Sequence, residues 1–337
     1  MLRMKKLASL TALAALALSL AGCAGSQHGA EESYVLVAAN LKIPYWEAAS
    51  AGLKQAATQL GVKSDVVGPA GYDPKAQREE LRRLLTRNLK PSGILISPTD
   101  PVLLKDDIDA AIAQGIPVIT IDSDAPTSKR LLYVGTDNYR AGEMAAQVAV
   151  KQLQGKGNVV VFTIPGQANL AERLRGYNDV FASRPQIKIV EVVDMKGDPA
   201  LAFDRTGAIL DSGKPAVDAF VCLEALSCAE VAEVLSRKQV TGKVVIAMDT
   251  HEMTLEGIKK GTISATVAQK PFTMAFTAVK MLDDIYHHKP ASLDRLWELD
   301  PFSSLPAFVD TGATLIDKSN VEAFIRAHQS ATAPAKK

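Results

Sequence analysis

The sequence predicts an α/β protein of two similar lobes, each a parallel sheet wrapped by crossover helices. From Ser33 onward, short β-branched runs alternate with helical stretches, the pattern of parallel strands joined by helical connections. Gly115-Ile-Pro-Val-Ile-Thr-Ile-Asp122 is paralleled by Gly242-Lys-Val-Val-Ile-Ala-Met-Asp249. Both have a Gly, a run of six, and an Asp at the strand's end, a weak internal repeat. The third observation is size: 337 residues, 47% hydrophobic and 22% charged, give a sizeable core spread over two domains.

In the first half, strands are expected at Tyr34–Ala39, Val62–Val67, Gly93–Ile96 and Pro117–Ile121. Helices between them run over Tyr45–Leu60, Pro74–Asn88 and Val102–Gln114. Gly61 ends the first helix. Pro74 opens the second, which carries a Leu81/Leu84/Leu85 stripe. The second half repeats the scheme, with strands at Val159–Ile164, Ile187–Val193, Asp218–Cys222, Val244–Met248 and Ile263–Ala268. Its helices fall at Asn138–Leu153, Ala168–Ala182, Pro199–Leu210, Ala225–Lys238 and Thr254–Lys259. No Gly/Ser linker separates the halves, so structured crossings join them. The tail 329–337 is polar and Ala/Pro-rich and reads as disordered.

The N-terminus reads as a targeting segment. Arg3, Lys5 and Lys6 precede the apolar run Leu7–Leu20, and Leu20-Ala21-Gly22-Cys23 resembles the bacterial lipobox. In lipobox proteins the Cys thiol takes a diacylglycerol and the peptide bond before it is cut. Residues 1–22 are then a signal peptide, Cys23 the lipidated mature N-terminus, and 23–33 a polar tether. The apolar run is short for a spanning helix, which needs about 20 residues, so the expected location is extracytoplasmic, held to a membrane by the lipid alone. Removing residues 1–22 subtracts three positive charges from a chain of net +1, leaving −2. Neither value makes an electrostatic case for nucleic acid. Cys222 closes an apolar run and Cys228 lies on the helix-like stretch after it, which reads as two buried thiols. A disulfide is the alternative that an exported chain allows.

Ligands of open parallel sheets bind beyond the carboxyl ends of the strands. The residues ending each apolar run are therefore the candidates: Asn40–Trp46, Ser97–Asp100, Asp122–Asp124, Asp137, Gln167–Arg173, Leu223 and Glu224, Asp249–His251, and Gln269. Asn138 is better read as a helix cap, and Thr99-Asp100-Pro101 as a capped helix start. Tyr45 and Trp46 stand together at a strand-to-helix turn in a chain only 5% aromatic. A flat ring there suits the C–H face of a sugar; burial in the lobe's own core is the alternative.

An enzyme is not expected. No G-x-G-x-x-G follows a strand, and neither a G-x-x-x-x-G-K-[ST] loop nor a G-x-S-x-G elbow is present. His28, His251, His287, His288 and His328 show no zinc-ligand spacing. His287-His288 ends a helical stretch, where a solvated or dipole-complementing role is the default. No metal and no cofactor are expected.

Taken together, several segments resemble the periplasmic sugar-binding proteins of the ribose-binding type, which serve ABC transporters. They are Ile43-Pro-Tyr-Trp46, Ile96-Ser-Pro-Thr-Asp100, Pro117–Asp122, Val134-Gly-Thr-Asp-Asn138 with Ala141-Gly142, Ala171–Tyr177, Ala247-Met-Asp249 and Ala265–Gln269. The resemblance covers the chain from about Tyr34 to Val321. It implies two flavodoxin-like doubly wound lobes joined by a three-segment hinge that closes on the ligand. The crossings would fall near Thr136–Asn138, Gln269–Pro271 and Leu305–Asp310. Lobe 1 would then comprise 34–136 with 270–305, and lobe 2 137–269 with 306–328.

The resemblance also implies roles. Tyr45 and Trp46 match the aromatic pair that sandwiches the pyranose, Asp122 the carboxylate that accepts sugar hydroxyls, and Arg173 the arginine reaching ring or hydroxyl oxygens. Asp249 and Gln269 match second-lobe and hinge contacts; Ser97, Asn169 and Glu224 complete the expected ligand set. Four positions depart from the ribose pattern: Ser123 replaces an Arg, while Ile43, Leu223 and Ser97 replace Asn. Lost donors point away from ribose, because sites built for hydroxyls discriminate strongly. The expectation is therefore a monomeric lipoprotein that captures a different sugar or a polyol for ABC permease subunits. A sensor docking on a receptor kinase or chemoreceptor is the alternative.

Overall fold

A computed structural model describes residues 28–332 apart from 215, 291, 295 and 296. The expected signal peptide, Cys23 and the last five residues of the tail lie outside the described residues. The first half opens with β1 (Ser33–Val37), α1 (Pro44–Leu60), β2 (Lys63–Val67), α2 (Pro74–Leu85) and β3 (Gly93–Ile96), then α3 (Pro101–Ala113), β4 (Val118–Ile121) and β5 (Leu132–Gly135). The second half runs through α4 (Asn138–Gln152), β6 (Gly157–Thr163), α5 (Ala168–Ala182), β7 (Ile187–Asp194), α6 (Ala200–Ser212) and β8 (Ala219–Cys222). It continues with α7 (Ser227–Arg237), β9 (Val244–Met248), α8 (Glu252–Lys260) and β10 (Ala265–Ala268). The chain then returns through α9 (Pro271–His287) and β11 (Phe308–Asp310) before β12 (Thr314–Asp317) and α10 (Val321–Thr332).

Two six-stranded sheets result, ordered β11-β5-β4-β3-β1-β2 and β12-β10-β9-β8-β6-β7. Apart from the last strand added at one edge, each has the 2-1-3-4-5 order of a flavodoxin-like lobe. The two flavodoxin-like doubly wound lobes are therefore present. Strands β1, β3, β4, β6, β8 and β9 are predominantly apolar and buried along nearly their whole length, as parallel strands covered on both faces must be. Each sheet organises its own core, one around Leu36, Ile94 and Ile119, the other around Phe162, Phe220 and Ile246.

Glycines set the helix spacing inside each lobe. A Cβ on Gly52 of α1 would stand 2.1 Å from the Phe272 carbonyl oxygen of α9. Gly142 of α4 and Gly176 of α5 approach the facing helix as closely, with 2.2 Å to Arg173 O and 2.3 Å to Tyr139 O respectively. These backbones touch, which only residues without a side chain allow.

Three crossings join the lobes. β11 pairs in parallel with β5, whereas β12 pairs antiparallel with β10. The third crossing thus lies after Asp310, later than the sequence suggests, and 306–310 belong to the first lobe. Thr311 N–H and its hydroxyl both donate to Gly135 O, at 2.8 and 3.0 Å, and Asp137 N–H donates to Asp310 Oδ1 at 3.1 Å. The first and third crossings are therefore bonded to one another.

Other expectations change. Cys222 and Cys228 form a disulfide with Cα atoms 5.6 Å apart, not two thiols: the turn between β8 and α7 brings them within bridging reach. Helix α10 continues to Thr332, so the start of the expected tail is helical. Ser33 and the residues just before it are held against the first lobe instead of hanging as a free tether: Glu32 O accepts from Lys63 N at 2.9 Å.

Candidate functional site

Both sheets point their carboxyl ends into one cleft. At matching places, just past β4 and β9, stand Asp122 and Asp249, each in the left-handed region with φ of 63°. Asp is among the few residues that accept this conformation. The supports match too. Asp122 N–H donates to Val134 O at 3.2 Å and Asp249 N–H to Val267 O at 2.9 Å, each on the next strand of its sheet. The two carbonyls are held as well: Tyr133 OH donates to Asp122 O and Thr266 Oγ1 to Asp249 O, both at 2.7 Å. The internal repeat thus ends in two carboxylates presented by the same backbone device.

The carboxylates are buried and differently served. Asp122 Oδ1 accepts from Tyr45 OH and Oδ2 from Ser97 Oγ, both at 2.8 Å. Burial pushes its pKa up, against the pull of Arg173, Tyr45 and Ser97. Asp249 accepts from Gln269 Nε2 at 2.9 Å. Burial drives its pKa up to about 6, opposed by Arg173 and Gln269 and reinforced by Asp122 and Glu224. Half-buried Tyr45, with its phenol desolvated beside two carboxylates, has its pKa pushed well above the usual value and so serves as a donor.

Arg173, on α5, is 2% exposed. Its Nε donates to Asn138 Oδ1 at 2.9 Å and Nη1 to Leu223 O at 2.7 Å. Nη2 is buried and makes no hydrogen bond among the described residues, and the same holds for Gln269 Oε1. Orphaned buried groups of this kind are costly. Asn138 is therefore not a cap: Asp137 caps α4 by accepting from Arg140 N at 3.0 Å, and the buried Asn138 orients Arg173. The Gly142 and Gly176 contacts bring α5 close enough for this.

Of the nine expected ligand residues, eight line the cleft: Tyr45, Trp46, Asp122, Asn169, Arg173, Glu224, Asp249 and Gln269. Ser97 stands behind, on Asp122. Tyr45 and Trp46 are not opposed plates. Their rings meet edge to face, with centroids 5.3 Å apart, whereas a ring held between two others needs roughly twice a van der Waals contact of about 3.5–4 Å. Neighbours at a helix start cannot face each other across a gap, and Trp46 packs largely into the first lobe's core. Glu224 spends its carboxylate on the first turn of α7, accepting from Leu226 N and Ser227 N at 2.8 and 2.9 Å. Asn169 accepts from its neighbour Leu170 N at 3.0 Å. Leu223 turns its side chain into the core and offers the cleft side only its carbonyl, while Ile43 lines the cleft.

Tyr72, Met195, Gly197 and Asp198 also line the cleft and escaped the sequence reading. They follow β2 and β7, so the carboxyl-end rule would have found them had it been applied to these edge strands. Tyr72 packs on Gly197 across the lobes. Two histidines without evident partners in sequence also find them, away from the cleft: His28 meets Asp283 at 3.0 Å and His287 meets Glu32 at 2.9 Å. His287 is thus engaged, not solvated.

A family model described as a periplasmic binding protein domain matches residues 34–290. The ribose import binding protein RbsB of Bacillus subtilis is 29% identical over 263 residues, covering 75% of this chain and 81% of the relative. The D-allose-binding periplasmic protein of Escherichia coli is 28% identical over 267 residues, covering 76% and 85%. Among solved structures, the glucose-galactose binding protein GanP of Geobacillus stearothermophilus superposes with a TM-score of 0.78 at 30% identity, covering 87% of this chain and 99% of its own. These relatives are binding proteins, not enzymes.

Proposed function

This chain belongs to the periplasmic binding protein domain family, and from that premise we propose that it captures a monosaccharide or polyol other than ribose. The two lobes close on this ligand and deliver it to an ABC importer. The observation carrying the reading is the pairing of Asp122 and Asp249, one from each lobe, in a single cleft with the unpartnered Nη2 of Arg173. Two acceptors and a forked donor suit a polyhydroxylated ligand, since each hydroxyl both donates and accepts. Tyr45, Trp46 and Ile43 supply an apolar side for its C–H groups, with Asn169, Glu224 and Gln269 at the rim of the contact set. Ser97 acts through Asp122.

Ribose is set aside on the four departures: Ser123 is buried without a partner for its Oγ among the described residues, Ile43 and Leu223 bring no amide, and Ser97 spends its hydroxyl on Asp122. Export and anchoring through Cys23 are supported by the lipobox-like Leu20–Cys23 and by the Cys222–Cys228 bridge, a bond at home in oxidising compartments.

Thermal unfolding of the full chain against pentoses, hexoses, deoxy sugars and polyols tests the reading. At a hundredfold excess over Kd a true ligand adds about 2.7 kcal/mol, a rise of about 5–10 °C for lobes of this size. Ribose should give less than the best ligand. A panel without a stabiliser would refute sugar capture. Mass spectrometry of the membrane-extracted protein should find diacylglycerol on Cys23.

A further inference from the structure

On the first lobe, at the amino end of the sheet opposite the cleft, the segment entering β1 meets the end of α9. Four side chains converge there: His28 and Glu32 from the segment, Asp283 and His287 from the helix. One ligand atom from each lies within 4.8 Å of all the others. We propose that these four residues form a binding site for a single zinc ion, which clasps the amino-terminal segment to α9.

The spacing in each half is favourable. Asp283 and His287 are four apart on one helical face, and His28 and Glu32 are four apart across a turn closed by Glu32 N–H to Gly29 O at 3.0 Å. His28 Nε2 lies 3.0 and 3.2 Å from the two oxygens of Asp283. His287 Nε2 lies 2.9 Å from Glu32 Oε2 and 3.8 Å from Asp283 Oδ1. Tetrahedral zinc with ligands at about 2.0–2.2 Å holds them roughly 3.4 Å apart. Seating the ion therefore asks the short pairs to open by about half an ångström and the longest separation, at most 4.8 Å, to close by up to about 1.4 Å.

Electrostatics argue in the same direction. The side chains of Glu32 and Asp283 are only 10% and 14% exposed, and among the described residues neither forms an ion pair with a Lys or Arg. Two nearly buried carboxylates need a positive partner. Outer contacts of the sort that orient metal ligands are in place. Tyr34 OH donates to Asp283 Oδ1 at 2.9 Å, and Gly29 N–H donates to Glu32 Oε1. Two imidazoles with two carboxylates suit zinc and disfavour calcium or magnesium. On binding, each imidazole gives its Nε2 lone pair to the metal, keeps its proton on Nδ1, and releases any second proton to solvent. The rival explanation is that the histidines carry the positive charge themselves.

The full chain, stripped with chelator and dialysed, is titrated with zinc chloride by calorimetry, and with cobalt chloride by visible absorption. We expect one equivalent of zinc, and affinity at least tenfold weaker in His28→Gln and His287→Ala, with His288→Ala unchanged. Cobalt should give the visible bands of a four-coordinate site in the parent and in His288→Ala only. His28→Gln keeps a hydrogen-bond donor toward Asp283, and far-UV circular dichroism with a cooperative urea transition confirms that the variants are folded. Zinc binding that is absent in the parent, or equal in the parent and both ligand variants, overturns the proposal.

Discussion

Asp249 should make the empty protein less stable as pH rises, and Asp249→Asn should abolish that dependence. Its pKa is about 6 in the fold against an ordinary 3.8. Between these values the folded state binds more protons than the unfolded chain, so stability falls as pH climbs through the window. The full cost is present above about pH 6 and absent below about pH 4. The separation corresponds to about 3 kcal/mol, from about 1.4 kcal/mol for each tenfold change in proton affinity. Asn is the right replacement: it is isosteric, uncharged, and tolerates the left-handed φ of 63° that this position imposes. Urea unfolding of both proteins without sugar, from pH 4 to 7.5, reads the effect. The stability of Asp249→Asn relative to the parent should rise by about 2–2.5 kcal/mol across that range, since part of the cost is already present at pH 4. Parallel curves would refute the claim that burial strands this carboxylate. Sugar affinity of the parent should move the other way, weakening from pH 7 to pH 5 as the acceptor for hydroxyls is protonated.

Gly142→Ala should push α5 away from α4, because the new methyl would stand 2.2 Å from Arg173 O. About 1–3 kcal/mol of stability should be lost to overpacking, together with much of the sugar affinity, seen by urea unfolding and calorimetry; unchanged affinity would show that Arg173 does not depend on this contact. Replacing Cys222 and Cys228 together by Ala should cost about 2 kcal/mol, the chain-entropy value for so short a loop, and should weaken sugar binding because the bridge flanks Glu224. Ser97→Ala removes one of the two side-chain donors to Asp122; calorimetry should show affinity lower by about 1–2 kcal/mol, with the fold intact by circular dichroism.

The strand ends were legible in the sequence because buried parallel strands are continuous apolar runs, so the polar residue ending each run is easy to locate. That rule placed Asp122, Asp249, Arg173 and Gln269 on one cleft. It failed where burial is one-sided or brief. β11 and β12, at the sheet edges, are three and four residues long and mostly exposed or half-buried, so no apolar run marks them. The four residues of β5 are buried, but they follow β4 after a loop with no helix between, which breaks the strand–helix alternation the reading relied on. Glu224 was only half legible: it lines the cleft as expected, but an acidic residue after a strand serves equally as ligand acceptor or helix cap, and only coordinates show that its carboxylate also accepts from Leu226 and Ser227 N–H. The pairing of Tyr45 with Trp46 suggested a sandwich, but adjacency in sequence at a helix start is itself what prevents one. His28 and His287 are separated by most of the chain, and only the return of α9 to the first lobe unites them.

The bonds from Thr311 to Gly135 and from Asp137 to Asp310 have a mechanical outcome. Three separate strings would let the jaws swivel and slide as well as open. With two of them laced into one ribbon, twisting about the long axis of the molecule would shear those bonds, while bending across the ribbon leaves them intact. If the lobes close on ligand as proposed, the stroke that keeps these bonds is a clamshell bend about one axis, which would bring Asp122 and Asp249 to the same facing positions each time the mouth shuts.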